Sequence, residues 1–97
     1  MRDLPLLFAA LANSHRLAIV EELARGRHNG HGGALGILEL ARRAEMTRFA
    51  ASRHLSVLRE AGLVTQQPCG AQRVQSLDDR ALQHIEDWLV AMLPADF

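Results

Sequence analysis

Ninety-seven residues with 48% hydrophobic content suffice for one domain with a core, though a folded chain of this size buries only roughly two-thirds of the surface its unfolded form exposes. No apolar run approaches the ~20 uncharged residues of a membrane span. The opening does not have the form of a secretory signal, because Asp3 follows Arg2 and the apolar run breaks at Asn13, Ser14 and His15. Formal net charge is zero and Cys69 is the lone cysteine, which excludes an internal disulfide and fits a reducing, cytoplasmic setting.

Leu4, Leu7, Phe8 and Leu11 share one face of a first helix, with Pro5 acceptable in its first turn. Asn13 is suited to cap a second helix carrying Leu17, Ile19, Val20 and Leu23, expected to end near Gly26. The glycine-rich stretch from Arg27 to Gly36 has no apolar period and is expected to be loop. A third helix runs from Ile37 to Ala44, with Ile37, Leu40, Ala41 and Ala44 inward.

Thr47 can cap a fourth helix that Gly62 ends. Ala51, Leu55 and Leu58, at i, i+4 and i+7, are its narrow buried stripe, and Arg48, Ser52, Arg53, Ser56 and Arg59 fill much of the rest. Such a helix is fixed to its domain on one side and offers donors to phosphates and base edges on the other. Leu63 to Gln67 and Gln72 to Leu77 read as two strands around a turn at Pro68, Cys69, Gly70 and Ala71. A last helix starts at Asp78 or Asp79, sets Leu82, Ile85, Trp88, Leu89 and Met92 on one side, and stops at Pro94.

The zero net charge divides unevenly. Residues 1–41 carry four arginines against four acids. Residues 42–77 carry six arginines against two glutamates, and residues 78–97 one arginine against five acids. The basic block coincides with the fourth helix and the hairpin, and nucleic-acid binding responds to such local charge. All eleven basic residues are arginine. That suits bidentate recognition of guanine or phosphate, and equally a bias of composition.

Helix, helix, helix, reading helix, β-hairpin, helix is the order of a winged helix-turn-helix, a mainly α (α+β) fold of about five helices and a two-stranded wing. One domain, residues 1–97, is expected. Its terminal helices have more apolar face than one core absorbs, so Leu4, Leu7, Phe8, Leu11, Leu82, Ile85, Trp88, Leu89 and Met92 are expected to pair with a second copy.

Three passages resemble the ArsR/SmtB-type winged-helix repressors over nearly the whole chain. Ala10, Leu11, Ala12, Arg16 and Leu17 match the family's opening pattern. The run Ser52, Arg53, His54, Leu55, Leu58, Arg59, Ala61, Gly62, Leu63 and Val64 matches its helix-turn-helix, the most specific of the three. Gly70 to Leu77 resembles a wing without the usual aromatics. The resemblance implies a homodimeric bacterial repressor that binds an imperfect palindrome in double-stranded DNA and releases it to an inducer. Carried over by position, Thr47, Arg48, Phe49 and Ser52 read bases, Arg53, His54 and Ser56 lie alongside, and Arg73 serves on the wing.

Two departures matter. Glu45 stands where the family's turn usually has Gly, at some backbone cost. Phe49 replaces a small polar residue and can meet a thymine methyl or bury its ring against the third helix. The family's Cys-x-Cys positions are Gly36 and Leu38, which cannot ligate, and the last helix, with Asp78, Asp79, His84, Glu86 and Asp87, lacks the paired-His spacing of the other familiar metal site. No cofactor is therefore expected.

His28 and His31 form a His-x-x-His pair in the Gly/His loop, which by itself is an incomplete Ni²⁺ or Zn²⁺ site. A metal-responsive repressor built on that loop is one alternative; a plain surface loop is the simpler reading. Cys69 has no resolving partner and is expected to be an incidental thiol. His54 can touch a phosphate or pack beneath its helix, and Trp88 is expected in a dimer core. No phosphate loop, Ser/His/acid set or paired carboxylates support catalysis. The other alternative is a protein-interaction module using Phe49, and a partner protein or small molecule can supply the signal.

Overall fold

The computed structural model describes residues 3–28 and 33–97. Its elements are α1 (Leu4–Leu11), α2 (Ser14–His28), β1 (Leu35–Gly36), α3 (Ile37–Arg43), α4 (Arg48–Ala61), β2 (Val64–Cys69), β3 (Gln72–Leu77) and α5 (Asp79–Met92). This is the winged helix-turn-helix arrangement, and no helix among the described residues is long and apolar enough to cross a membrane.

Local chemistry places the ends. The Asn13 carboxamide oxygen accepts from the amides of His15 and Arg16 at 2.9 and 3.1 Å, which starts α2. Thr47 caps α4 by accepting from Ala50 N at 3.0 Å, and Asp78 caps α5 by accepting from Arg80 N at 3.0 Å. The ends of α3 and α4 close in the same way. Met46 N donates to Ala41 O and Glu45 N to Arg42 O; Leu63 N donates to Leu58 O and Gly62 N to Arg59 O. These are Schellman pairs, which need a left-handed residue at the pivot. Gly62 supplies it at φ 85°, whereas α3 uses Glu45 at φ 55°, the residue whose place in the turn carries a backbone cost.

Leu7, Ile19, Leu23, Leu40, Leu55, Leu58 and Leu63 are fully buried and bring α1 to α4 onto one core. Each contributes roughly 1.5–3 kcal/mol over an exposed side chain. The expectation that Leu7 belongs to a surface shared with a second copy is corrected here, because its side chain is 0% exposed inside its own chain. Leu4, Leu11, Leu82 and Ile85 are partly buried against the same core, so they offer only an edge.

Three further expectations are revised. Helix α2 passes Gly26 and runs to His28. Arg27 anchors that last turn by donating to Leu77 O at 3.0 Å and pairing with Asp79 at 2.6 Å. Part of the supposed loop is a strand: Leu35 and Gly36 pair antiparallel with Gln75 and Val74, giving a three-stranded sheet of order β1-β3-β2. Strand β2 continues through Pro68 to Cys69, because it is an edge strand whose outer side needs no donor. Only Gly70 and Ala71 remain as the turn, with Gly70 at φ 62° as a tight hairpin of this length requires.

Candidate nucleic-acid interface

The reading helix turns its stripe of Ala51, Leu55 and Leu58 into the core, so its first two turns present Arg48, Phe49, Ser52 and Arg53 outward. Phe49 is 72% exposed, which removes the option of a ring buried against α3. Arg53, one turn on, lies over that ring with its guanidinium 5.9 Å from the centroid. Thr47 is exposed at the cap, and Ser56 is half-buried.

On the wing side, the exposed Arg73 shares an open groove of about 630 Å³ with Arg48, Leu38, Gln66 and Gln75. The structure thus brings the start of α4 and the wing to one concave surface. Its rear wall is polar and tied together. Gln75 is 2% exposed; its carboxamide oxygen accepts from Arg59 Nη1 at 3.1 Å and its amide donates to Gln66 Oε1 at 2.8 Å. Arg59 therefore fastens the hairpin to α4.

Of the six arginines in the basic block, Arg42 and Arg43 are also occupied. Both pair with Glu39 one turn away, at 2.9 Å for Arg43, and hydrogen bonds from Arg42 and then Arg43 lower the Glu39 carboxyl to about 2. Among the described residues Arg48 and Arg73 keep no protein partner, which leaves them available to an anion.

His54 sits apart from this groove, on the side of α4 that meets α2. Its ring stacks on His15 with centroids 5.5 Å apart and planes 25° from parallel. Burial first, then the charges of Arg16, His15 and Arg53, hold its pKa below the ordinary histidine value. Arg16 is itself held by donating from Nε to Ala10 O at 2.6 Å, at the end of α1. Sequence reasoning missed His15, Gln66 and Gln75 as neighbours of the site. The position of Gln75, two residues before Leu77 on the inward side of β3, was a usable signal for a buried polar partner.

Along α1 and α5, Phe8 and Trp88 meet edge to face at 5.3 Å, and Leu89, Val90, Met92 and Leu93 are exposed beyond them. Among the described residues no three His, Cys, Asp or Glu side chains gather at metal-binding distance. The side chain of His28 and all of His31 lie outside the described residues. Cys69 is an exposed free thiol at the wing tip.

Residues 11–67 match the family described as a helix-turn-helix domain, and the chain belongs to it. More narrowly, its relatives place it among ArsR-type winged helix-turn-helix proteins. It is 45% identical over 73 residues to the HTH-type transcriptional regulator Rv2034 of Mycobacterium tuberculosis; the match takes in 75% of this chain and 62% of that protein. The chain thus spans less than two-thirds of the length of this curated relative. An ArsR-like transcriptional regulator from Rhodococcus sp. RHA1 superposes with a TM-score of 0.77 at 27% identity, over 92% of this chain and 77% of that one. A homodimeric winged helix-turn-helix DNA-binding domain from Mycobacterium bovis, described as a possible ArsR-family regulator, shares the fold at a TM-score of 0.71 and 24% identity, over 91% and 76%.

Proposed function

We propose that this chain is a homodimeric, sequence-specific DNA-binding repressor acting on a palindromic operator in the cytoplasm. The observation that carries the reading is the concave surface that Arg48, at the start of α4, shares with the wing, on which Arg48 and Arg73 have no partner among the described residues. On this reading Thr47, Arg48, Phe49 and Ser52 enter the major groove, and Phe49 supplies the apolar contact that a thymine methyl accepts. Arg53, Ser56 and the wing residue Arg73 grip phosphates. The exposed apolar half of α5, with Phe8, Trp88, Leu89 and Met92, joins two copies and sets their reading helices about one turn of DNA apart, ~34 Å. Relatives named as regulators and a homodimeric structural neighbour support the reading.

Phe49 also favours a second reading, in which the same helix docks on a partner protein, because so exposed an aromatic suits an interaction hot spot. Two substitutions separate them. Under DNA recognition, Arg53→Ala weakens binding to all sequences and lowers the slope of log K against log salt by about 1. Under partner recognition, Phe49→Ala abolishes the association while DNA affinity is low from the start. On this reading release from DNA falls to an inducer or partner protein, and in the metal-responsive alternative it falls to an ion held by His28 and His31, since Gly36 and Leu38 offer no ligand.

A further inference from the structure

We propose that His15 and His54, flanked by Arg16 and Arg53, seat one phosphate of the operator backbone on the α2 side of the reading helix, and that DNA binding takes up a proton there. The inference rests on the DNA-binding reading and adds to it a second helix and a protonation step.

Two elements build the seat. His15 stands exposed in the first turn of α2, and His54 lies half-buried midway along α4. Their rings stack 5.5 Å apart. A hollow of about 340 Å³ opens beside them, lined by Arg16, Phe49, Ala50, Arg53, His54 and Val57. Among the described residues no carboxylate lines it; Glu60 borders the adjoining hollow instead. The charged and titratable groups around the pair are Arg16 from α2 and Arg53 from α4, and α1 carries no ionisable side chain. Arg16 is anchored on the carbonyls of Ala9 and Ala10, so its charge stays beside the hollow.

Two imidazoles alone would also suit a metal cation, but two guanidinium groups beside them repel one and attract an anion. In the free protein, burial and those same cations disfavour a charged His54. A phosphate brought between them reverses the balance, because an anion within hydrogen-bonding reach favours the imidazolium. Proton uptake on binding makes affinity rise as pH falls.

Isothermal titration of the full chain with a duplex of the DNA upstream of its own coding sequence, in buffers of differing ionisation heat at about pH 6 and about pH 8, counts the protons directly. The expected result is uptake of up to about one proton and affinity about fivefold to tenfold tighter at the lower pH. The double variant His15→Gln, His54→Gln should flatten that pH dependence and lower the salt slope by about 1. Specific binding without proton uptake overturns the proposal, as does a folded double variant that keeps the wild-type pH profile. Loss of binding on adding chelator overturns it in favour of a metal held by the imidazoles. If the double variant fails to fold, the wild-type proton count still decides. Absence of operator binding at both pH values rejects the DNA-binding reading itself, and this inference with it.

Discussion

Replacing Arg59 with Met keeps most of the stem and removes the guanidinium that donates to Gln75. The carboxamide oxygen of Gln75 then has no donor at a position 2% exposed, while its amide stays committed to Gln66. An orphaned buried acceptor costs about 1–3 kcal/mol. Arg59 is only half-buried, so water can approach where its head was, and the lower part of that range applies, about 1–2 kcal/mol. Arg59 also lies in the last turn of α4, where a cation favours the helix dipole by about 0.3–1 kcal/mol. A double-mutant cycle with Gln75→Met removes that second contribution, because the dipole effect does not depend on Gln75. The coupling expected between the two positions is about 1 kcal/mol. With both contributions lost, about 1.3–3 kcal/mol, the single variant of this 97-residue chain should melt roughly 6–15 °C lower. Urea unfolding at one fixed protein concentration measures it, with an unchanged m value if only stability has moved. Additivity within about 0.3 kcal/mol would show that the two side chains do not interact, since independent positions behave that way.

Glu45→Gly should raise stability by about 0.5–1 kcal/mol, because glycine relieves the left-handed φ of 55° and returns part of that gain as unfolded-state entropy; thermal melting checks it. Glu39 contributes stability that is present above its unfolded pKa, near 4.5, and is lost as pH falls through its folded value of about 2. Glu39→Gln should therefore flatten the stability profile between those values and leave a shallower acid limb, as urea unfolding at a series of pH values would reveal. Trp88→Glu puts a charge into the exposed apolar half of α5 beside Phe8, and sedimentation equilibrium should show a monomer where the wild type is a dimer. A dimer that survives this change would move the subunit contact away from α5.

Much of this fold is legible in the residues because short-range chemistry decides it. Asn13, Thr47 and Asp78 are polar side chains directly before apolar periods, and each caps its helix. The i, i+4, i+7 stripe of α4 is buried as its spacing implies. What was not legible depends on distant partners. Strand β1 exists because Leu35 and Gly36 find the open side of β3, some forty residues on, and two residues carry no period. The overrun of α2 past Gly26 depends on Arg27 reaching Leu77 and Asp79. The face assigned to Leu7 failed for a related reason: helical spacing identifies an apolar side but not whether its cover is the same chain or another. At the candidate interface, counting arginines overstates the guanidinium groups free to take a ligand, since Arg42 and Arg43 share the Glu39 carboxylate and Arg59 donates to Gln75. The pairing of His15 with His54 brings α2 beside α4 across 39 positions, and no local pattern announces it.

A surface of this kind should read DNA. The most direct test is a fluorescence-anisotropy titration of the full chain, with chelator present and at two salt concentrations, against the DNA upstream of its own coding sequence and a scrambled fragment. Submicromolar binding that favours the native fragment and weakens steeply with salt is expected. Weak and equal binding to both fragments would contradict it.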